Sequence, residues 1–261
     1  VYSDKLINSS QSQHNTYFEA LGYYRKAVIN QYLHKYEEKY ENAYISRELF
    51  LSIGDSLRAG KRSLEMANAQ SSMSDYTGSQ ENATTALRLL SKEKDSAHIS
   101  SAFNVIAISY RERNFYDDAI AEYKNALRYS ISIEDSLSFI NNIALVYRDK
   151  RNYKSALFNF ERVLEKVEYA DERSRARFID NYAYTKWMQD STAQVINEFN
   201  TALNIRLKIN DLDGLASSYK HLSNYYENTN INKALTYAKQ WRMTARKNSS
   251  SNSELNALKE L

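Results

Sequence analysis

The sequence predicts an all-α fold, a solenoid of stacked helix-turn-helix repeats, on three observations. The stretch from Ser100 to Lys166 contains one pattern twice, 37 residues apart. A small residue recurs through the chain where each second helix would open. Helix breakers are nearly absent, with five Gly and no Pro in 261 residues, so folds that need a turn every few residues have no material for one.

In the first copy, apolar or small residues fall at Phe103, Ile106, Ala107 and Tyr110, then at Ala119, Ile120, Tyr123, Ala126 and Leu127. The second copy places Ile140, Ile143, Ala144 and Tyr147, then Ala156, Leu157, Phe160, Val163 and Leu164, on the same grid. Spacing of three and four residues makes each set one apolar stripe on a helix. Polar residues separate the stripes, so each unit reads as helix, short turn, helix. Ala107 with Ala119, and Ala144 with Ala156, let the paired helices approach closely, and Tyr116 and Tyr153 fill the turns. Large residues at Ala119 or Ala156 are therefore expected to be poorly tolerated.

These residues resemble the tetratricopeptide repeat family, whose units pair a small residue in the first helix with an alanine early in the second and an aromatic at the turn. The resemblance implies a right-handed superhelical α-solenoid of about a dozen helices, and no particular ligand. The absence of Pro departs from the family, which often places one after the second helix.

Taken in order, residues 1–36 are expected to form an N-terminal capping region, with dense aromatics from Tyr17 to Tyr36. Residues 37–252 then carry about six repeats of a single array. The first is degenerate, with Tyr40 at its turn. Ala43, Ser79, Ala119, Ala156, Val195 and Ala234 open the second helices. In the fifth unit Lys186 stands where Tyr110 and Tyr147 stood, and Thr192 replaces the turn aromatic. Residues 253–261 read as the start of a truncated repeat, so more array is expected beyond Leu261. The chain opens on Val1 without a charged and apolar leader and reads as a piece of something longer.

Linkers carry a second signal. Asp55, Asp95 and Asp135, each followed by Ser, recur every 40 residues, with Asp171 and Asp213 in similar places. Each is expected to cap the amides of a first helical turn, a structural role.

Composition excludes several classes of function. A formal charge of +3 makes no case for a nucleic-acid partner. Without Cys there is no disulfide, thiol catalysis or cysteine metal site. No apolar run approaches the roughly 18 residues that span a bilayer. His14, His34, His98 and His221 are scattered and read as surface or packing residues. No metal, phosphate-loop, nucleophile or dinucleotide motif occurs, so no catalysis, cofactor or metal is expected here.

A solenoid still presents the inner face of its first helices, where an extended or helical peptide can lie. In the resembling family that groove is the usual binding site, read by residues one position beyond the buried stripe. Here these are Asn104 and Arg111, Asn141 and Arg148, Asp180, Tyr184 and Trp187, then Lys220 and Asn224. Asn can hold a peptide backbone with both donor and acceptor. Arg111 and Arg148 suit acidic groups, and Tyr184 with Trp187 suits an apolar anchor. The family's acidic-tail clamp is not matched in full.

The repeat length, the Asp-Ser linkers and the Tyr-rich composition also resemble the extracytoplasmic sensor regions of bacterial two-component histidine kinases and related regulators. That resemblance implies a ligand- or partner-sensing region of a membrane-anchored protein, working through ligand binding or homodimerisation, outside the cytoplasm. The alternative is a stand-alone adaptor that assembles a complex, with a cytoplasmic location open to it.

Overall fold

The turns of the N-terminal half share one construction. The computed structural model describes residues 2–247, and the expected truncated repeat at 253–261 lies outside them. The chain divides into two compact units, residues 1–131 and 132–261. The two clearest sequence copies therefore belong to different units.

The first unit runs through α1 (Tyr2–Ser12), α2 (Thr16–Tyr32), α3 (Tyr36–Ser52), α4 (Ser56–Ser72), α5 (Tyr76–Glu93), α6 (Ser96–Glu112) and α7 (Tyr116–Tyr129), each packed on the next. His14, His34, Gly54, Ser74, Lys94 and Asn114 take positive φ between them, one every 20 residues. After such a residue the chain turns back, and the following amide bonds the carbonyl five residues earlier, as in Lys35 to Asn30 and Asp75 to Gln70, both 2.9 Å. That closure satisfies carbonyls the helix leaves unpaired. Only Gly54 takes the left-handed conformation at no steric cost; a side chain there costs about 1–2 kcal/mol. The next residue is then free to cap the following helix, as Asn15, Asp55, Asp75 and Asp95 do.

This 20-residue beat corrects the reading of the first repeat. Its turn lies at 33–35, not at Tyr40, and Tyr36 opens α3 in the role of Tyr76 and Tyr116. The supposed capping segment is α2, an ordinary first helix paired with α3. The reason is Lys39, which occupies the place of Ser79 and Ala119. Its side chain is buried and its Nζ lies 3.1 Å from Glu65. A grid that seeks a small residue passes over it and stops at Ala43.

The remaining opening residues are buried as expected: Ser79, Ala119, Ala156 and Val195 are fully enclosed, and Ala234 nearly so. At Ser79 the close approach carries a cross-helix bond, the hydroxyl donating to Ala67 O at 2.9 Å. Around it the core gathers Leu64, Ala67, Ala83, Ala86, Leu90, Ile99 and Val105.

The second unit runs through α8 (Ile133–Asp149), α9 (Tyr153–Leu164), a 3₁₀ turn at Val167–Tyr169, α10 (Glu172–Gln189), α11 (Ile196–Lys208), α12 (Leu212–Tyr226) and α13 (Ile231–Lys247). Two expected caps shift. Ser132, not Asp135, caps α8, with Asp135 N–H donating to its hydroxyl at 3.0 Å. Asp211, not Asp213, stands at the N-cap of α12. Asp171 caps α10 as expected. At the turn without an aromatic, Asp190 accepts from both the amide and the hydroxyl of Thr192, a side-chain turn in place of ring packing. Val195 is the N-cap of α11, so this second helix starts later than its counterparts.

Among the described residues no helix is long and apolar enough to cross a membrane, and no cluster of three or more metal-ligating side chains occurs.

Asp95 shows what a cap does when it also gathers charges. It caps α6, and its carboxylate lies 3.0 Å from Lys61 Nζ and 2.9 Å from His98 Nδ1. Burial works against its charge, but hydrogen bonds from His98 and Lys61 prevail and hold the carboxyl at about 2. We expect Asp95→Ala to cost about 1–2 kcal/mol in urea unfolding at pH 7. Because the folded pKa is depressed, the stabilisation is present above the unfolded value and fades as pH falls toward 2. The variant and the parent should therefore converge in acid, and a constant difference from pH 7 to 2 would refute the assignment.

Candidate ligand cavity

In the second unit, the first helices of three successive pairs, α8, α10 and α12, surround a cavity of about 380 Å³. Leu145 and Arg148 face it from α8; Arg173, Arg177, Asp180 and Asn181 from α10; Gly214, Ser217 and His221 from α12. Arg206 enters from α11, and Asp211 and Asp213 sit at the rim where α12 begins. Helical spacing explains the alignment: Arg173, Arg177 and Asn181 are four apart, as are Ser217 and His221.

The floor is a buried triad of Asp180, Arg206 and His221. Asp180, 1% exposed, accepts from Arg206 Nη1 at 2.9 Å and pairs with His221 Nδ1 at 3.0 Å. The same Arg206 nitrogen donates to Ser218 Oγ at 2.6 Å. Burial alone would raise the Asp180 carboxyl; the charges and hydrogen bonds of His221 and Arg206 overcome it and keep the group below the usual carboxylate range. Gly214 makes room for this arrangement. A Cβ there would stand 2.1 Å from Asp211 Oδ2 and 2.6 Å from Arg206 Nε, so a side chain would displace the Asp211 carboxylate and the Arg206 side chain.

Around the floor the walls are pinned by polar and aromatic contacts. His221 stacks on Tyr184 with ring centroids 3.9 Å apart and planes 11° apart. Asn224 donates to the Tyr184 hydroxyl at 3.1 Å, and the Arg148 guanidinium lies 5.8 Å from the Tyr184 ring centroid. Asn181 donates to Asn141 Oδ1 at 3.1 Å, tying α10 to α8.

The residues singled out from sequence meet different fates. Arg148 and Asp180 line the cavity, and Tyr184 and Asn224 hold its wall. Asn141 is fully buried and bonded between helices, so it is not the solvated groove residue expected; its amide is needed to pair Asn181. Trp187 packs with Tyr184 and Tyr225 and lies partly buried against the core of Val195, Phe199 and Leu222. Lys220 turns to α13, its Nζ 5.5 Å from the Trp241 ring. Asn104 and Arg111 lie half-buried on α6 of the other unit.

Sequence reasoning passed over Arg177, Arg206, Asn181 and His221. For Arg206 a signal existed: it follows Phe199 and Ala202 at helical spacing, on the buried stripe of α11. A stripe Arg opposite a stripe Asp, Asp180, is legible as an internal ion pair.

The helix pairs, their small-residue contacts and their turns define a tetratricopeptide-type α-solenoid. Among solved structures of this architecture, the chain is similar to aspartyl phosphate phosphatase F from Bacillus subtilis, with a TM-score of 0.74 and 12% identity over 99% of this chain and 74% of that one. It is also similar to the apo form of RapI (0.71; 15%; 89% and 85%). A third is the Rap conjugation gene regulator of plasmid pLS20 in complex with the Phr* peptide (0.68; 13%; 97% and 76%). No family model and no curated protein matches the sequence.

Proposed function

We propose that this chain is a non-catalytic scaffold that binds a peptide or protein segment, and that the cavity of the second unit is part of its binding surface. The observation that carries the reading is the convergence of α8, α10 and α12 on one cavity lined by hydrogen-bonding and cationic side chains. The peptide held by the pLS20 regulator supports it as an example of what the fold accommodates. Asp180 is bonded to both Arg206 and His221, a contact that ties α10 to α11 and α12. That arrangement suits a preorganised binding wall better than an acid-base catalyst.

The finer reading is that the scaffold is the sensing region of a bacterial signal-transduction protein, exposed outside the cytoplasm. It is supported by the style of the repeats and linkers described above. An alkaline phosphatase fusion after Leu261 in the native gene tests the location: activity in whole cells agrees, and activity only on lysis refutes it.

Panning a displayed random-peptide library against the 261-residue chain tests the scaffold. Enriched peptides should lose about 10- to 100-fold in affinity with Arg148→Ala, the loss typical of a charged hydrogen bond. They should be indifferent to Asn204→Ala, on the exposed face of α11. No enrichment, or the reverse sensitivity, would overturn the proposal.

A further inference from the structure

The arginines of the cavity are not equally engaged. Arg206 is held by Asp180, and Arg173 lies 3.5 Å from Asp211. Arg177 differs. Its side chain is partly buried, and its hydrogen bond goes to a neutral group, Ser138 Oγ, at 3.1 Å. Its Nε–H is buried with no acceptor, as is that of Arg206, but unlike Arg206 and Arg173 it has no carboxylate among the described residues within ion-pair distance. Asp171 and Glu134 act on it only from farther away, through their charge. Burial depresses the guanidinium's proton affinity and Arg206 adds like-charge repulsion, yet an Arg stays charged in proteins.

A partly buried cation with no carboxylate in contact is costly unless something compensates it. Here the compensation has a place to come from, because Arg177 faces the cavity. The flat guanidinium fork offers paired N–H groups that match the spacing of two oxygens on one carboxylate or phosphate.

We propose that the cavity of the second unit binds an oxyanion, a carboxylate or a phosphate, on the guanidinium of Arg177. The inference deepens the scaffold reading and rests on it only for the source of the anion: an acidic or phosphorylated side chain of the bound peptide, or a free anion. Arg148, on the facing helix, supplies a second positive charge to the same space, and Ser217 at the rim offers a hydroxyl.

The test uses the full chain, with sodium phosphate and sodium glutarate as probes and sodium chloride holding ionic strength constant. At least one probe should raise Tm saturably above the chloride control, since a ligand that prefers the folded state stabilises it. Arg177→Met should weaken that probe at least about 10-fold, while melting, with no oxyanion present, at or above the parent's temperature. Should Arg177→Met fail to fold, Arg177→Lys retains the charge without the fork and should weaken the probe several-fold. No response to either anion, or an unchanged response in both variants, overturns the proposal. A response to glutarate alone assigns the anion to a carboxylate; a response to phosphate alone assigns it to a phosphate. Peptides from the library that bind equally well in the parent and Arg177→Met, with the response to phosphate and glutarate also unchanged in that variant, would leave the scaffold reading standing and overturn this one. Phosphate binding lost in Arg177→Met, with no peptide enriched, would do the opposite.

Discussion

Asp180→Ala is expected to lower the stability of the second unit by about 3–5 kcal/mol, the range for stripping one partner from a buried ion pair. Arg206 is 3% exposed and its Nη1 bridges Asp180 and Ser218; without the carboxylate its charge has only a hydroxyl to rest on. His221 loses the partner of its Nδ1 while still stacked on Tyr184. Urea unfolding at pH 7 measures the loss, and a difference below about 1 kcal/mol, the scale of an exposed pair, would show that the triad is not structural. Removing the whole set, as Asp180→Leu with Arg206→Met and His221→Leu, should recover much of the stability, because apolar groups of similar size need no counter-charge. Acid gives an independent check. The folded-state pKa of Asp180 is depressed, so its contribution is complete above the unfolded value of about 3.9 and is lost as pH falls through the folded value. Asp180→Ala should therefore show a shallower loss of stability below about pH 4 than the parent.

The triad also marks where sequence reading reaches its limit. Helix pairing was legible because small residues at Ser79, Ala119, Ala156 and Ala234 must sit where helices touch, and burial follows from that contact. The first repeat was misread for the opposite reason: Lys39 is long and charged, and its burial rests on its pairing with Glu65 on α4 and its hydrogen bond to Gln31 on α2. The 20-residue beat of the first unit was hidden because its left-handed turn residues are mostly not glycine. His14, His34, Ser74 and Lys94 carry no common sequence mark, and the closure bonds they permit are between backbone groups. The cavity was half legible. A first-helix position just off the stripe points toward it for Arg148, but a one-residue shift turns Lys220 to α13 and brings in His221. Arg177 was invisible, since its significance lies in which carboxylates fail to reach it.

Phe178→Ala is expected to cost about 3–5 kcal/mol and to break the cooperativity of the second unit. Phe178 is fully buried against Leu137, Val163 and Ala170, with Ile140, Leu164 and Val167 around them. One ring on α10 thus meets α8, α9 and the 3₁₀ turn, and it is the largest fully buried side chain in that cluster. Stacked repeats are stabilised by contacts with their immediate neighbours, so a cavity here weakens the junction of α8 and α9 with α10 and leaves the packing of α12 on α13 intact. Both tryptophans, Trp187 and Trp241, lie on the α10–α13 side. Tryptophan fluorescence should then report a transition at higher urea than the first loss of helical circular dichroism from this unit, with the two signals coinciding more closely in the parent. Met188→Ala, an exposed change on the same helix, serves as the control and should stay within about 0.5 kcal/mol. If Phe178→Ala loses less than about 1 kcal/mol, or loses more while the separation of the two signals stays as in the parent, the junction at Phe178 is not what couples the first pair of this unit to the rest.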